Sequence, residues 1–353
     1  MDEGETQRAR RRRGGSGPTV ADVARAAGVS PMTVSRVING EARVGAETRE
    51  KVEAAIAALR YVPNPAARSL AGGGQARLAL LYDNPSAAFL GELLLGSLDQ
   101  ARRSDALLLV EPYDGAEPVE ALCRRLAEHR IDGVLIPAPL CDEGAVVAAL
   151  AAAGLPLARI AATVPMAVGH ALGIDDEAAA HAMTRHLIAL GHRRIAFVGG
   201  PERLSVSALR LAGYARALGE AGIAVDPVLV AHGDFAYRSG LEAAERLLAA
   251  DPRPTAIFAA NDDMAAGAMA AAHRRWLDVP KDLSITGFDD TATARSLWPE
   301  LTTVRQPAAA MAARGVEILC AQIAARCTAT RFPPQSEAMA FALVRRASDA
   351  PPG

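Results

Sequence analysis

The sequence predicts a small all-α headpiece of the helix-turn-helix type, followed by a larger α/β domain with parallel sheets. Residues 19–39 contain two short helical patterns around a Gly-Val-Ser turn. From Ala76 onward, short apolar runs alternate with helical segments, as is typical of doubly wound parallel sheets. A stretch containing Pro and Gly, residues 64–75, separates the two regions and indicates a linker. The 353 residues exceed one typical domain, which agrees with this division.

The headpiece is predicted to hold three helices within residues 19–63. The first runs from about Ala21 to Ala27 and ends at Gly28. Ser30 is placed to cap the second helix, whose first position is Pro31, where a missing N–H costs nothing. The second helix is predicted to bury an apolar stripe made of Val34, Val37 and Ile38. A third helix, from about Glu47 to Leu59, closes the headpiece.

The outward side chains of the second helix have the chemistry that reads DNA. In a helix-turn-helix the N-terminal half of this helix lies against base edges in the major groove. Arg36 can contact guanine with two hydrogen bonds, and Met32 offers an apolar surface to a thymine methyl. The remaining polar side chains suit phosphate oxygens, and they are Thr33, Ser35 and Asn39. The alternative is an ordinary soluble helical bundle, in which an exposed arginine has no special role.

Residues 64–75 predict a short hinge helix and a linker. Asn64 is an N-cap, Pro65 the first helical residue and Gly72 a stop. Such a short helix is not stable alone, so it requires a partner, and DNA together with a second copy of the chain would supply one. Leu70 would then wedge between base steps in the minor groove, while Arg68 lies against phosphates.

The charge distribution favours DNA at the N-terminal end. Residues 1–77 hold 13 Arg and Lys against 8 Asp and Glu, whereas the remainder holds 25 against 32.

Residues 1–18, with Arg10 to Arg13, are predicted to be a disordered basic arm, which either adds non-specific DNA affinity or is an incidental extension. The arm is not a signal peptide, because no apolar run follows its basic cluster. No stretch is expected to span a membrane, and the four cysteines show no metal-type spacing.

In the larger domain, polar residues follow the predicted strands, where parallel sheets bind ligands. The strands are predicted at Leu78 to Leu81, Leu107 to Val110, Val134 to Ile136, Leu157 to Ile160, Ile195 to Val198, Thr255 to Ala259 and Ser284 to Gly287. The helices between them include Leu90 to Ala101, Ala178 to Leu190 and Ser239 to Leu248. The polar residues that follow three of the strands are Asp83 with Asn84, Asn261 with Asp262 and Asp263, and Asp289 with Asp290.

These side chains indicate a site for a polyol. Asp289 can accept two neighbouring hydroxyls, while Asn261 both donates and accepts. Arg210 supplies several donors, and Phe235 can stack on the apolar face of a sugar ring. Each residue also has an ordinary structural alternative, since an Asp after a strand often caps a helix and Phe235 could belong to the core.

The chain resembles the LacI/GalR family of bacterial transcription regulators over residues 19 to about 347. Its matching strings, in the order and spacing of the family, are TVADVARAAGVSPMTVSRVIN, YVPNPAARSLA, HLIALGHRRIAFVGGP, ALRLAGY, FAANDDMAAGAM, LSITGFDD and LTTVRQP. The resemblance implies a periplasmic-binding-protein-like two-lobed domain, a homodimer on a palindromic operator, no cofactor and a cytoplasmic, nucleoid-associated protein. It implies DNA contacts from Thr19, Pro31, Met32, Thr33, Ser35, Arg36, Asn39, Asn64, Arg68 and Leu70. It implies effector contacts from Asp83, Arg210, Phe235, Asn261, Asp263, Asp289 and Gln306.

The resemblance also implies a repressor of carbohydrate-utilisation genes that a small sugar-like effector releases from DNA. A corepressor-dependent or activating regulator stays open, and a sugar-binding or sugar-processing protein is a remote alternative. Lobe closure on the effector is expected to melt the hinge. No helical tetramerisation segment is expected after the last lobe. Enzyme activity is not expected, because paired neighbours such as Asp262 and Asp263 rarely supply glycosidase geometry and no nucleophile or phosphate-loop motif occurs.

The sequence predicts the bounds of the effector domain and departs from the family pattern at three places, one of which is Gly45, where a Ser or Thr cap is common. The effector and dimerisation domain is predicted at residues 76–347, with lobe 1 at about 76–173 and 304–333, and lobe 2 at about 174–303 and 334–347.

Pro31 and Met32 stand where the family sets operator preference. Ala161 replaces an Asp that is common in relatives, with Arg159 two residues earlier. If Arg159 points inward, an acidic sugar or a phosphate would fit, and otherwise it is a rim or interface residue.

Overall fold

The computed structural model describes residues 19–38, 44–59, 61, 75–327 and 333–353. The chain divides into two compact units, Met1–Gln75 and Ala76–Gly353. Each unit has a hydrophobic core of its own, and the two are described separately below.

The described part of the first unit is a three-helix headpiece with helices α1 (Val20–Ala27), α2 (Pro31–Ile38) and α3 (Ala46–Leu59). Thr19 caps α1 through a reciprocal capping box with Asp22, and the helix ends at Gly28, whose φ of 67° only glycine adopts without strain. The Thr33 N–H donates to Ser30 Oγ at 3.1 Å, which confirms Ser30 as the predicted cap of α2. The core joins one face of each helix and includes Val23, Val34, Val37, Val52 and Tyr61.

The second unit contains two doubly wound lobes, each with helices on both faces of a six-stranded sheet. Lobe 1 contains β1 (Arg77–Tyr82), α4 (Ala87–Arg103), β2 (Leu107–Pro112), α5 (Val119–Glu128), β3 (Gly133–Pro137), α6 (Gly144–Ala152), β4 (Leu157–Ile160), β5 (His170–Gly173), α12 (Ala308–Cys327) and β11 (Ser336–Ala338). Lobe 2 contains α7 (Asp176–Ala189), β6 (Ile195–Gly199), α8 (Ser205–Glu220), β7 (Val230–His232), α9 (Tyr237–Leu247), β8 (Ala256–Ala259), α10 (Asp262–Arg274), β9 (Ser284–Asp289), α11 (Ala292–Ser296), β10 (Thr302–Arg305) and β12 (Ala342–Val344).

The two sheets share one topology, which fixes where a ligand can bind. Their strand orders are β11-β5-β4-β3-β1-β2 and β12-β10-β9-β8-β6-β7, and every pairing is parallel except that of β10 with β12. Because the order reverses at β1 and β3 in lobe 1 and at β6 and β8 in lobe 2, a crevice opens beyond the carboxyl ends of these strands. The parallel-sheet architecture confirms the predicted fold class.

Lobe boundaries differ from the prediction at two places. All of β10 pairs with β9 in lobe 2, so the chain crosses to lobe 1 after Arg305 and not after residue 303. Residues 336–338, predicted in lobe 2, form β11, which pairs with β5 at the edge of the lobe 1 sheet. The hydrogen bonds that β5 offers at its open edge explain this placement, because three residues carry too weak a pattern to reveal their partner.

Among the described residues, one helix segment, Ala308–Ala325, is long and apolar enough by composition to cross a membrane. In the structure it belongs to α12, which packs against α4 and the lobe 1 sheet. Met311, Ala312, Val316 and Leu319 are fully buried there. Its apolar character is therefore that of a core helix.

Candidate functional site

A polar cleft lies between the two lobes, where the carboxyl ends of the crossover strands of both sheets meet. It has a volume of about 270 Å³, close to the lower end of the range of about 300–1,000 Å³ that is usual for small-molecule sites. Six of the seven predicted effector residues line it, and they are Asp83, Arg210, Phe235, Asn261, Asp289 and Gln306. The lining also includes Asn84, Ser86, Phe89, Pro139, Ala161, Asp176, Arg203, Leu204, Val206 and Asp234.

Arg210, on α8, is buried on the lobe 2 side of the cleft and is held on three sides. Its Nε donates to Asp176 Oδ1 at 2.8 Å, and one terminal nitrogen donates to the Ala260 carbonyl at 2.5 Å. The guanidinium carbon lies 3.6 Å from the ring centroid of Phe288, a cation–π contact. The other terminal nitrogen lies 3.9 Å from Asp289 Oδ1, beyond hydrogen-bond distance. Arg210 is thus a fixed donor with little rotational freedom to lose when a ligand binds.

Asp289, at the end of β9, is a strained and poorly solvated carboxyl. Its φ is 109° and that of Asp290 is 58°, both in the region that favours glycine. Gln306 donates to Asp289 Oδ1 at 2.5 Å, which ties the end of β9 to the residue after β10. Burial raises the pKa of Asp289 to about 7, although nearby Arg210 and the Gln306 hydrogen bond lower it. The carboxyl therefore gains from additional donors, such as sugar hydroxyls.

Phe235 and Asn261 form one local structure at the base of the cleft. Asn261 caps α10, where its Oδ1 accepts from the Met264 N–H at 2.9 Å and its Nδ2 donates to the Phe235 carbonyl at 2.8 Å. Phe235 has a φ of 69°, and its ring lies so close to Gly200 that a Cβ there would fall 2.1 Å from it. This geometry fixes the ring against lobe 2. Because both ends of the Asn261 amide already have partners, Asn261 acts mainly as a positioning residue.

Asp263, the seventh predicted effector residue, does not line the cleft. Its carboxylate accepts from Ser86 Oγ at 2.6 Å and from Thr293 Oγ1 at 3.1 Å. Ser86 belongs to lobe 1, so Asp263 joins the two lobes beside the cleft. Asp262 and Asp263 begin a helix, and the carboxylate of Asp263 is engaged with these two hydroxyls, so its predicted effector contact stays a prediction.

Asp262 is likewise structural. It is buried and accepts hydrogen bonds from the Thr291 N–H at 2.7 Å, from Thr291 Oγ1 at 3.0 Å and from Thr303 Oγ1 at 2.6 Å. Burial raises its pKa well above the usual value. It therefore holds the ends of β9 and β10 together beneath the site.

Arg159 neither enters the cleft nor lies at a rim. Its side chain is fully buried, and it donates to the Cys141 carbonyl at 2.7 Å, to Asp142 Oδ1 at 2.9 Å and to the Val164 carbonyl at 2.6 Å. Both interpretations of Arg159 from the sequence are therefore wrong. Ala161 does line the cleft, with a φ of 56°.

The sequence interpretation missed Asp176, which is the partner of Arg210. Burial raises the pKa of Asp176, whereas the charge and hydrogen bond of Arg210 lower it. The signal was present, because Asp175 and Asp176 follow β5 as Asp83 follows β1. The four-residue strand β5 was not predicted, so the polar pair after it received no role.

In the headpiece, the second helix exposes three of the side chains that are predicted to contact DNA. Pro31, Met32 and Arg36 are exposed, with Met32 at 64%, while Thr33 and Ser35 are half-buried. Thr19 Oγ1 is engaged with Asp22 at 2.7 Å, so its first role is to cap α1. Four predicted DNA contacts, Asn39, Asn64, Arg68 and Leu70, lie outside the described residues, as do the 1–18 arm and most of the 64–75 hinge.

Comparison with known proteins agrees with this division of the chain. Residues 19–64 match the model of "Bacterial regulatory proteins, lacI family", and residues 184–348 match a periplasmic binding protein-like domain. Catabolite control protein A of Priestia megaterium is 37% identical over 82% of this chain and 87% of its own length.

Two solved structures cover almost the whole chain. A lac repressor dimer bound to operator and the anti-inducer ONPF has a TM-score of 0.76 and 30% identity, over 95% of this chain and 100% of that one. The transcriptional regulator CelR–cellobiose complex has a TM-score of 0.69 and 31% identity, over 94% of this chain and 99% of that one.

The exposed second helix of the headpiece and the interlobe cleft occur in a chain whose relatives are transcription regulators and not enzymes. Because the chain is more than 30% identical to such relatives over more than two thirds of their length, it belongs to the lacI family of bacterial regulatory proteins and is a DNA-binding transcription regulator.

Proposed function

We propose that this regulator binds a palindromic operator as a homodimer, represses carbohydrate-utilisation genes and leaves DNA when a small sugar-like effector occupies the interlobe cleft. The observation that carries the proposal is the composition of that cleft. Among its lining groups are two carboxyls, one fixed guanidinium and two phenyl rings suited to a small polyol, and they are Asp83, Asp289, Arg210, Phe89 and Phe235.

Effector binding would favour closure because its partners come from both lobes. Asp83 and Phe89 belong to lobe 1, whereas Arg210, Phe235 and Asp289 belong to lobe 2. A ligand that contacts both sets has a higher affinity for the closed arrangement and shifts the population towards it. The CelR–cellobiose complex supports a sugar as the ligand class.

On the DNA side, the exposed face of α2 supports base contact by Arg36 and Met32, with Thr33 and Ser35 towards phosphates. The relative solved with operator DNA is a dimer, which supports the same assembly here. Leu95 and Leu98 on α4 and Leu107 on the neighbouring edge strand β2 are 66%, 50% and 46% exposed. This apolar surface is suited to burial against a second copy. Such a regulator would act in the cytoplasm, at the nucleoid.

The test is fluorescence anisotropy with a labelled duplex from the gene's own upstream region, at physiological salt with competitor DNA and a panel of sugars. Tight binding that one sugar reverses is the expected result. Tight binding that a sugar strengthens would favour the corepressor-dependent or activating alternative. Failure to bind specifically to any upstream duplex, with or without sugars, would contradict the proposal.

Leu70→Ala tests the hinge. If Leu70 wedges between base steps, its loss should weaken operator binding strongly while effector affinity is retained, because the side chain is proposed to contact DNA alone. Anisotropy and calorimetry on the same preparation measure the two affinities. Operator affinity equal to that of the wild type would remove Leu70 from the DNA contact.

A further inference from the structure

The interlobe cleft contains more negative than positive groups. Carboxyls come from four elements, and they are Asp83 after β1, Asp176 on α7, Asp234 before α9 and Asp289 on β9. The cationic side chains of the lining are Arg203 and Arg210. The lining therefore has an excess of two carboxyls, or of one when Asp289 is protonated.

Neither lining arginine is available to neutralise an anionic ligand. Arg210 is paired with Asp176 at 2.8 Å and lies 3.9 Å from Asp289, so two carboxyls already share its charge. Arg203 has a side chain 68% exposed and lies 3.8 Å from Glu143, so water screens it and a carboxylate competes for it. Arg159 of lobe 1 does not line the cleft and is paired with Asp142.

The helices that begin at the cleft already have acids at their N-termini. α7 holds Asp176 in its first turn, and α10 holds Asp262 and Asp263. At the start of α8, Ser205 Oγ donates to Asp142 Oδ2 at 3.2 Å, and at the start of α4 Ser86 Oγ donates to Asp263 at 2.6 Å. These carboxylates offset the partial positive charge of the helix ends, which would otherwise attract a phosphate.

We propose, on the basis of the proposed function, that the effector carries no negative charge and is an unphosphorylated sugar, either neutral or bearing an amine. The regulator then senses the substrate of a phosphoryl-transfer step and not its phosphorylated product. Asp83 has a particular part in this selection. It lines the cleft, and within the described residues no arginine or lysine forms an ion pair with its carboxylate, so its charge acts on an anion held there.

The expected size of the selection follows from Coulomb's law. One uncompensated carboxylate about 6 Å from a ligand charge, at an effective dielectric constant of about 40, weakens anion binding about tenfold. A phosphate dianion that meets one or two such groups should bind at least about 100-fold more weakly than the parent sugar.

The experiment uses the full-length protein and matched ligand sets. Each neutral sugar of the panel, for example glucose and galactose, is compared by calorimetry with its 2-amino, uronic acid and 6-phosphate forms. Neutral and amino sugars should bind at least about 100-fold more tightly than the phosphates. In Asp83→Asn the gap between neutral and anionic sugars should narrow about tenfold for the uronic acids and about 100-fold for the phosphates. Asp114 is an exposed carboxylate beyond β2 that does not line this cleft, so Asp114→Asn should leave both gaps unchanged.

A uronic acid or sugar phosphate that binds as tightly as its neutral parent overturns the inference and leaves the proposed function standing. If no sugar binds, the proposal that the effector is a sugar is wrong. Binding of inorganic phosphate then tests whether the cleft excludes anions. Phosphate at millimolar concentration should raise the melting temperature of the wild type and of Arg210→Lys equally. A larger rise in the wild type would reveal an anion site built on Arg210 and would overturn the inference.

Discussion

Asp289 is a cleft carboxyl whose pKa is strongly changed by its surroundings. Neighbouring groups act on its charge. Arg210 on α8 and Gln306 after β10 favour the carboxylate, while Asp176 on α7 and Asp263 on α10 oppose it. Burial outweighs the favourable partners, which brings the pKa to about 7. Such a group changes its protonation within the physiological range and responds to any donor that a ligand brings.

Effector affinity should therefore depend on pH through Asp289. Hydroxyl donors prefer the ionised carboxylate, so affinity should rise as pH increases through about 7 and level off above it, falling about tenfold per unit well below. Calorimetry at pH 6 and pH 8, in two buffers of different ionisation enthalpy, measures the affinity and the protons released.

Asp289→Asn is the companion variant. It should weaken the effector response while DNA affinity is kept, and it should remove the pH dependence. A pH profile that is flat in the wild type, or equally steep in the variant, would show that another group titrates.

Helix α8 links the cleft to the core of lobe 2. It presents Arg210 to the cleft, and Gly213, one turn later, lies against α7. A Cβ at Gly213 would lie 2.2 Å from the Glu177 carbonyl oxygen, so backbone atoms of α7 occupy the space that a side chain would need. The close packing of α7 on α8 also holds Asp176 beside Arg210.

Gly213→Ala should destabilise the protein by about 1–3 kcal/mol, because backbone atoms cannot give way as a flexible side chain would. Gly219→Ala on the same helix is the matched control, since nothing lies within 4 Å of its Cβ position. The control should be neutral or stabilising by up to about 1 kcal/mol. Chemical denaturation measures both variants, and equal stability of the two would contradict the proposed helix contact.

On the scale of the whole molecule, side-chain contacts join the lobes on two sides of the cleft. Ser86 of lobe 1 donates to Asp263 of lobe 2. Near the start of α8, Ser205 of lobe 2 hydrogen-bonds with Thr163 and Asp142 of lobe 1. These contacts hold the two lobes together across the cleft, and the chain crosses between the lobes after β5, β10 and β11. If the lobes close on a ligand, such contacts would favour the closed arrangement.

Ser205→Ala should weaken the closed arrangement by about 1 kcal/mol and thereby lower effector affinity about fivefold. Ser296→Ala is the control, because its hydroxyl is exposed and donates only to the Ala292 carbonyl within α11. Calorimetric titration with the effector compares the two variants. An effector affinity in Ser205→Ala equal to that of the control would show that this contact does not support closure.

What the sequence alone determined was the part that local chemistry dictates. Ser30 and Gly28 bound the headpiece helices through backbone conformation and capping, and the apolar runs identify the long strands because a parallel strand is buried on both faces. Of the seven effector residues predicted from the family motifs, six line the cleft, because each stands in a recognisable string. Short elements such as β5 and β11 escaped detection, because three or four residues show no decisive period.

Only the tertiary structure decided that Arg159 pairs with Asp142, that Asp263 joins the lobes and that Asp176 holds Arg210. The physical reason is that the hydrogen-bond partner of a side chain and its degree of burial depend on residues that are distant in sequence. Only the assembled lobes bring those residues together.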